Sequence, residues 1–85
     1  MGKLSDLPNI GKVVEEQLNA VGIENVEQLV QAGAEASWLK IQAIDESACI
    51  HRLLALEGAI RGVKKTDIPA ERRAELKKFY MEHKK

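Results

Sequence analysis

Several features that define other protein classes are scarce in this sequence. Cysteine occurs once in 85 residues, at Cys49, so no intramolecular disulfide can form and nothing indicates an oxidising compartment. No segment approaches the roughly 20 apolar residues of a membrane span, and no secretory signal pattern is present. Thirteen basic side chains balance thirteen acidic ones, so the overall basic excess of many nucleic-acid-binding proteins is missing. We expect a soluble cytoplasmic protein that does not contact a membrane.

Groups that carry catalysis or bind metals are also few. His51, His83 and Cys49 are the only imidazole or thiol side chains, and Cys49 and His51, two positions apart on a helix, point in different directions. The apolar run around Cys49 favours a buried structural role for its thiol. Because no glycine-rich loop has Walker or Rossmann spacing either, we expect no enzyme activity, no metal and no cofactor.

Apolar residues recur instead at helical spacing along the chain. They form stripes in residues 10–21 and 26–30, in "AEASWLKIQAI", in "SACIHRLLALEGAIRGV" and in a basic terminal segment that ends with "KKFY". Glycines at three positions mark the expected helix ends: Gly22, Gly33 and Gly62. The sequence therefore predicts an all-α fold, a compact bundle of about five short helices in one domain of residues 1–85, with an ordered core at about 5–81 and frayed ends.

The segment "SACIHRLLALEGAIRGV" is apolar around most of its circumference, which predicts that it is the central helix. Gly58 lies in its interior, where glycine costs roughly 0.5–1 kcal/mol relative to alanine. We expect a close approach of a neighbouring helix at Gly58.

The stretch "LPNIGK" before the first stripe resembles the start of a helix-hairpin-helix element, which can bind backbone phosphate through free N–H groups at a helix start. The candidate phosphate contacts are Asn9, Ile10, Gly11 and Lys12. DNA-repair versions usually carry glycine at the position of Asn9, and the carboxylates of Glu15 and Glu16 oppose an anion. The alternative is structural: Gly11 allows close packing and Ile10 fills the core.

Charge is distributed unevenly along the chain. Residues 1–42 hold three basic and six acidic side chains, whereas residues 61–85 hold nine basic and four acidic ones. The candidate basic contact surface consists of Arg61, Lys64, Lys65, Arg72, Arg73, Lys77 and Lys78. Solvated helix faces explain most such charges in small helical proteins.

Four blocks together, "LPNIGKVVEEQLNAVGI", "WLKI", "LLALEGAIRGV" and "DIPAERRAELKKFY", resemble the C-terminal domain of the TfoX/Sxy family of competence regulators. The resemblance covers about residues 5–80. It implies an all-α domain with a helix-hairpin-helix-like start, in proteins associated with positive regulation of DNA-uptake competence genes, and it implies no catalytic residue. Family regulators typically carry a separate N-terminal domain, so we expect a stand-alone copy that retains an interaction function.

These observations leave three functions open. The first is a non-enzymatic regulatory domain that contacts an unknown protein partner. The second is a weak, sequence-independent DNA-binding module that uses the hairpin and the basic carboxyl-terminal half. The third, which is compatible with either, is formation of a homodimer through the apolar helix at residues 48–63.

Overall fold

Four α-helices build the molecule, as seen in a computed structural model that describes residues 4–84. The helices are α1 (Lys12–Ala20), α2 (Val26–Ile44), α3 (Ile50–Arg61) and α4 (Ala70–His83). Short 3₁₀ helices at Leu4–Asp6 and Lys65–Asp67 precede α1 and α4. The described residues contain no β-strand, so the predicted all-α class is confirmed.

The predicted number of about five helices was wrong, because the two segments on either side of Gly33 form one element. Gly33 has φ 82° and ψ 165°, a non-helical conformation inside α2 that only glycine adopts readily. The expected helix end is therefore present as a kink rather than as a gap between helices.

A helix-hairpin-helix start is not confirmed. In the described residues, the segment before α1 contains a 3₁₀ helix of three residues and no α-helix. Frayed ends stay a prediction: α4 continues to His83, and residues 1–3 and 85 lie outside the described part of the chain.

Two helices end where glycine was expected to end them. Gly22 has φ 90° after α1, and the Ile23 N–H donates to the Leu18 carbonyl at 2.8 Å. Gly62 has φ 76° after α3, and the Val63 N–H donates to the Gly58 carbonyl at 2.9 Å. Both are Schellman-type ends, in which a left-handed residue lets the chain satisfy helix carbonyls that would otherwise lack a partner.

The core forms around Trp38, whose side chain is fully buried in the middle of α2. Its indole N–H donates to the Cys49 carbonyl at 3.2 Å, and its ring packs edge-on against Phe79 and Tyr80 of α4. Each α-helix adds at least one fully buried leucine: Leu18, Leu29, Leu53, Leu56 and Leu76. Helix α3 packs against α2, α4 and the second 3₁₀ helix, which confirms its predicted central place.

Candidate functional site

The seven residues of the candidate basic surface form two sets in the structure. The first set consists of Arg72 and Arg61. From α4, the Arg72 guanidinium contacts Glu35 of α2 at 2.7 Å, Glu57 of α3 at 3.1 Å and Glu75 of its own helix at 3.2 Å. Arg61 pairs with Glu57 at 2.5 Å. Both arginines therefore form ion pairs within the fold: Arg72 connects α4 with α2 and α3, whereas Arg61 pairs within α3.

The Glu57 carboxylate is the acceptor that these arginines share, and the residue is only 6% exposed. Burial by itself would raise the pKa of Glu57, but hydrogen bonds and charge attraction from Arg72 and Arg61 outweigh it, so the pKa lies below its usual value. The same contacts with Glu57 and Glu35 raise the pKa of Arg72. Glu57 is thus a buried anion whose counter-charges come from two arginines of the same chain.

The second set comprises the other five basic residues, all exposed: Lys64, Lys65, Arg73, Lys77 and Lys78. Among the ion pairs of residues 4–84, none involves these five side chains. They are the part of the predicted basic surface that is available to a partner.

Two of these cations, Arg73 and Lys77, border a groove between α3 and α4, with a volume of about 270 Å³. The lining residues are Ile50, Leu54, Ala70, Arg73, Ala74 and Lys77, and we call this surface the α3–α4 groove. Ile50 and Leu54 are half-buried, so apolar surface stays open to solvent beside two positive charges. This arrangement can hold an apolar side chain that has an acidic neighbour.

The hairpin residues lie elsewhere, and the Asn9 side chain points into the fold. Its Nδ2 donates to the Val63 carbonyl at 3.0 Å, and its Oδ1 accepts from the Lys65 N–H at 3.2 Å. Asn9 has φ 69°, a left-handed conformation that asparagine tolerates better than most residues. The amide thus links the turn before α1 to the chain after α3.

This link explains Gly58. A Cβ atom at position 58 would lie 2.5 Å from Asn9 Nδ2 and 2.7 Å from the Val63 carbonyl oxygen. The close approach expected at Gly58 is present, but the neighbour is a side chain and a loop backbone rather than another helix.

The other three hairpin residues differ in accessibility. Ile10 is buried in the core, as the structural alternative predicted, whereas Gly11 and Lys12 are exposed at the start of α1. Glu15 accepts from the Ser5 N–H at 3.1 Å, which places its carboxylate beside the preceding 3₁₀ helix. Phosphate binding by Asn9, Ile10, Gly11 and Lys12 stays a prediction.

A third cluster surrounds Asp45, at the end of α2. Its carboxylate accepts from the Ser47 hydroxyl and N–H, from Gln17 of α1 at 2.7 Å and from Arg52 of α3 at 2.9 Å. These hydrogen bonds, with the Ser47 hydroxyl first, hold the pKa of Asp45 far below its usual value. The cluster connects the end of α2 to α1 and α3.

The sequence profile of the TfoX C-terminal domain matches residues 1–80. The chain belongs to the TfoX C-terminal domain family. The resemblance that the four sequence blocks indicated is therefore confirmed.

Relatives of this TfoX C-terminal domain include Protein Sxy of Escherichia coli K12, which is 38% identical over 74 residues. That match covers 87% of this chain and 35% of Sxy, so the chain spans about a third of the relative's length. A crystal structure of an uncharacterized Listeria monocytogenes protein has a TM-score of 0.94 at 40% identity, over 95% of this chain and 92% of that one. A second, of a Listeria monocytogenes protein of unknown function, has a TM-score of 0.91 at 40% identity, over 93% and 96%.

Sequence reasoning missed the acidic partners of this TfoX C-terminal domain. The Glu57–Arg61 pair has helical i, i+4 spacing and could have been found in the sequence. The contacts of Arg72 with Glu35 and of Asn9 with Val63 join positions 37 and 54 residues apart, for which the sequence carries no local signal.

Within residues 4–84, no group of three or more His, Cys, Asp or Glu side chains is arranged to hold a metal ion. In the same part of the chain, every helix is too short or too polar to cross a membrane.

Proposed function

We propose that this domain is a non-enzymatic interaction module that takes part in regulation by binding a protein partner at the α3–α4 groove. The relation to the TfoX/Sxy family of competence regulators supports a regulatory role. The observation that carries the proposed binding surface is the groove itself, where half-buried apolar side chains lie beside two exposed cations.

The groove is small and suits a single anchor side chain of a protein partner. Its volume of about 270 Å³ is close to the lower limit of the roughly 300–1,000 Å³ of most small-molecule sites. Protein interfaces concentrate their binding energy in a few anchor side chains that enter small pockets of this kind. The exposed cations beside the pocket would then orient the partner and speed association.

Filling the groove tests this proposal. Ala74 is exposed and lines the groove, so Ala74→Trp places an indole where the partner would bind and leaves the buried core intact. Ala36→Trp makes the same substitution on an exposed position of α2, outside the groove. Partners are identified by cross-linking and mass spectrometry in the source cells, with the full chain as bait. We expect one partner protein that Ala36→Trp retains and Ala74→Trp loses.

Two results would overturn the proposal. In one, the same proteins are recovered with Ala74→Trp as with the unmodified chain. In the other, the bait recovers nucleic acid and no specific protein. If the Tm values of the two variants agree within a few degrees, the comparison reports binding rather than folding.

Weak, sequence-independent DNA binding is the second candidate function. The observation that favours it is the Asn9 link, which joins the start of α1, with Gly11 and Lys12, to the segment that carries Lys64 and Lys65. Exposed lysines and helix N–H groups from two parts of the chain therefore belong to one region of the surface.

Salt dependence tests this candidate. Anisotropy titrations with a duplex should give a log–log slope that steepens by about 0.9 for each phosphate neutralised. Lys12→Ala and Lys64→Ala should each weaken binding, whereas Lys40→Ala, on the exposed side of α2, should leave it unchanged. The candidate fails if low-salt buffer yields no binding, or if all three variants behave alike.

A further inference from the structure

The α4 side of the groove has a regular pattern. Ala70, Arg73, Ala74 and Lys77 follow the i, i+3, i+4, i+7 spacing of one helix face, which spans about two turns or roughly 10 Å. Met81 lies one turn beyond Lys77 on the same face and is 53% exposed. The two alanines let another backbone approach closely, and methionine adapts its shape to varied partners.

The α3 side supplies the apolar wall. Ile50 and Leu54 are four residues apart, so their side chains lie on one face of α3, one turn from each other. Both belong to the groove lining and are only half-buried, although they also pack against the core. A channel between two helices, with one apolar wall and one wall of small residues, matches the shape of a third helix.

The charges beside the groove determine which helix fits. Arg73 and Lys77 are separated by one helical turn, about 6 Å along α4. Helix α4 has three acidic side chains: Glu75 is held by Arg72, and Glu71 and Glu82 are exposed. None of the three forms an ion pair with Arg73 or Lys77 within residues 4–84. The two cations therefore present uncompensated positive charge with the repeat of a helix.

From this geometry we infer that the occupant of the groove is an amphipathic helix of a partner protein, with an apolar face and two carboxylates spaced i, i+4. The inference rests on the proposed function and specifies the chemistry of the partner. The apolar face fills the space between Ile50 and Leu54, and the carboxylates meet Arg73 and Lys77. Glutamate and lysine pairs across helices set orientation in the same way in coiled coils.

Other occupants fit less well. A DNA backbone has no apolar group to place against Ile50 and Leu54. A membrane surface is met by protruding apolar side chains rather than by a concave groove. A second copy of this chain could bring its acidic amino-terminal half to the groove, but such a head-to-tail contact builds rings or open chains rather than a two-fold dimer.

An unbiased selection tests the inference. A display library of helical peptides is selected for binding to the full chain, with Ala74→Trp used to remove peptides that bind elsewhere. We expect the selected sequences to carry apolar residues at i, i+3 or i+4 and acidic residues four positions apart. A selected peptide and its Glu→Gln analogue are then measured by fluorescence anisotropy.

Matched charge reversals complete the design. The double substitution Arg73→Glu with Lys77→Glu should lower the affinity for the selected peptide about tenfold or more, because attraction becomes repulsion. Lys64→Glu with Lys65→Glu changes net charge equally outside the groove and should alter affinity by less than about twofold. The Glu→Gln peptide should bind more weakly and lose most of its salt dependence.

Each contrary outcome has a distinct meaning. If neutral or basic peptides are selected, or the Gln analogue binds equally well, the acidic-helix inference is wrong while the groove stays a protein site. If every selected peptide also binds the Ala74→Trp variant, the groove is not a helix site. Sedimentation that shows self-association lost in Ala74→Trp would instead assign the groove to a second copy. Binding to phosphatidylserine vesicles that Arg73→Glu with Lys77→Glu abolishes would assign it to a membrane.

Discussion

Replacing Asn9 with alanine separates a structural role for the hairpin from a phosphate-binding role. The side chain makes two good hydrogen bonds, to the Val63 carbonyl at 3.0 Å and from the Lys65 N–H at 3.2 Å. A third contact, to the Ala55 carbonyl at 3.5 Å, is too long to contribute much. Ala55 lies within α3, whereas Val63 and Lys65 follow its end, so the substitution should loosen the junction between α1 and α3.

The magnitude follows from these contacts. Two neutral hydrogen bonds at about 1 kcal/mol each sum to roughly 2 kcal/mol. Alanine at φ 69° adds about 1 kcal/mol, because its Cβ atom is disfavoured in the left-handed region. Asn9→Ala should therefore lower the free energy of unfolding by about 3 kcal/mol. For a domain of this size, that corresponds to a fall in Tm of roughly 12–24 °C.

Asn9→Gly isolates the hydrogen bonds from the backbone conformation. Glycine adopts a positive φ readily, so this variant should lose about 2 kcal/mol rather than about 3. Asn19→Ala, at an exposed position of α1, is the matched control and should change stability by less than about 0.5 kcal/mol.

Urea unfolding followed by fluorescence is the assay, since the single tryptophan, Trp38, is fully buried in the folded state. The unfolding free energy comes from linear extrapolation of the transition. The reasoning is refuted if Asn9→Ala is as stable as Asn19→Ala. If Asn9→Ala is stable but binds DNA more weakly, Asn9 has the phosphate-binding role instead of the structural one.

Three further predictions concern other contacts of the fold. Gly58→Ala should destabilise the domain by about 1–3 kcal/mol in thermal unfolding, because its Cβ atom would lie 2.7 Å from the Val63 carbonyl oxygen. Arg72→Met should lower the unfolding free energy by about 2 kcal/mol near neutral pH, since the buried Glu57 loses a charged hydrogen bond. The lowered pKa of Glu57 means that this difference is present above the pKa of the unfolded carboxyl, about 4.3, and shrinks as the pH falls below it. The pKa of Asp45 is also lowered, so the unmodified protein should lose unfolding free energy as the pH falls. Asp45→Asn lacks this titrating group and should lose less. Urea unfolding measured from about pH 6 to about pH 2 checks the difference. Equal acid sensitivity of the two proteins would contradict the assignment of Asp45.

Much of the fold was predictable because its signals are local. The apolar stripes gave the helices, and Gly22 and Gly62 marked their ends through backbone conformations that few other residues adopt. Gly33 was interpreted as an end for the same reason, but helical residues continue directly after it, so its non-helical conformation forms a kink inside α2. Local rules locate such a break and do not determine how the chain continues beyond it.

The candidate site was predictable only in part. Arg61 and Arg72 look like surface cations in the sequence, yet both contact Glu57, whose burial depends on how α3 packs against α2 and α4. Arg73, one position after Arg72, lies at the groove. Neighbouring positions on a helix point about 100° apart, so the orientation of α4 decides which arginine is available.

The sequence by itself determined the helical class, the family and the positions of helix ends, because periodicity, glycine and composition act over a few residues. Only the tertiary structure decided that Asn9 holds the end of α3 and that Arg72 is internal while Arg73 and Lys77 border a groove. The physical reason is that hydrogen bonds and ion pairs across the fold depend on distances between segments. Those distances are set by the packing of the whole core around Trp38.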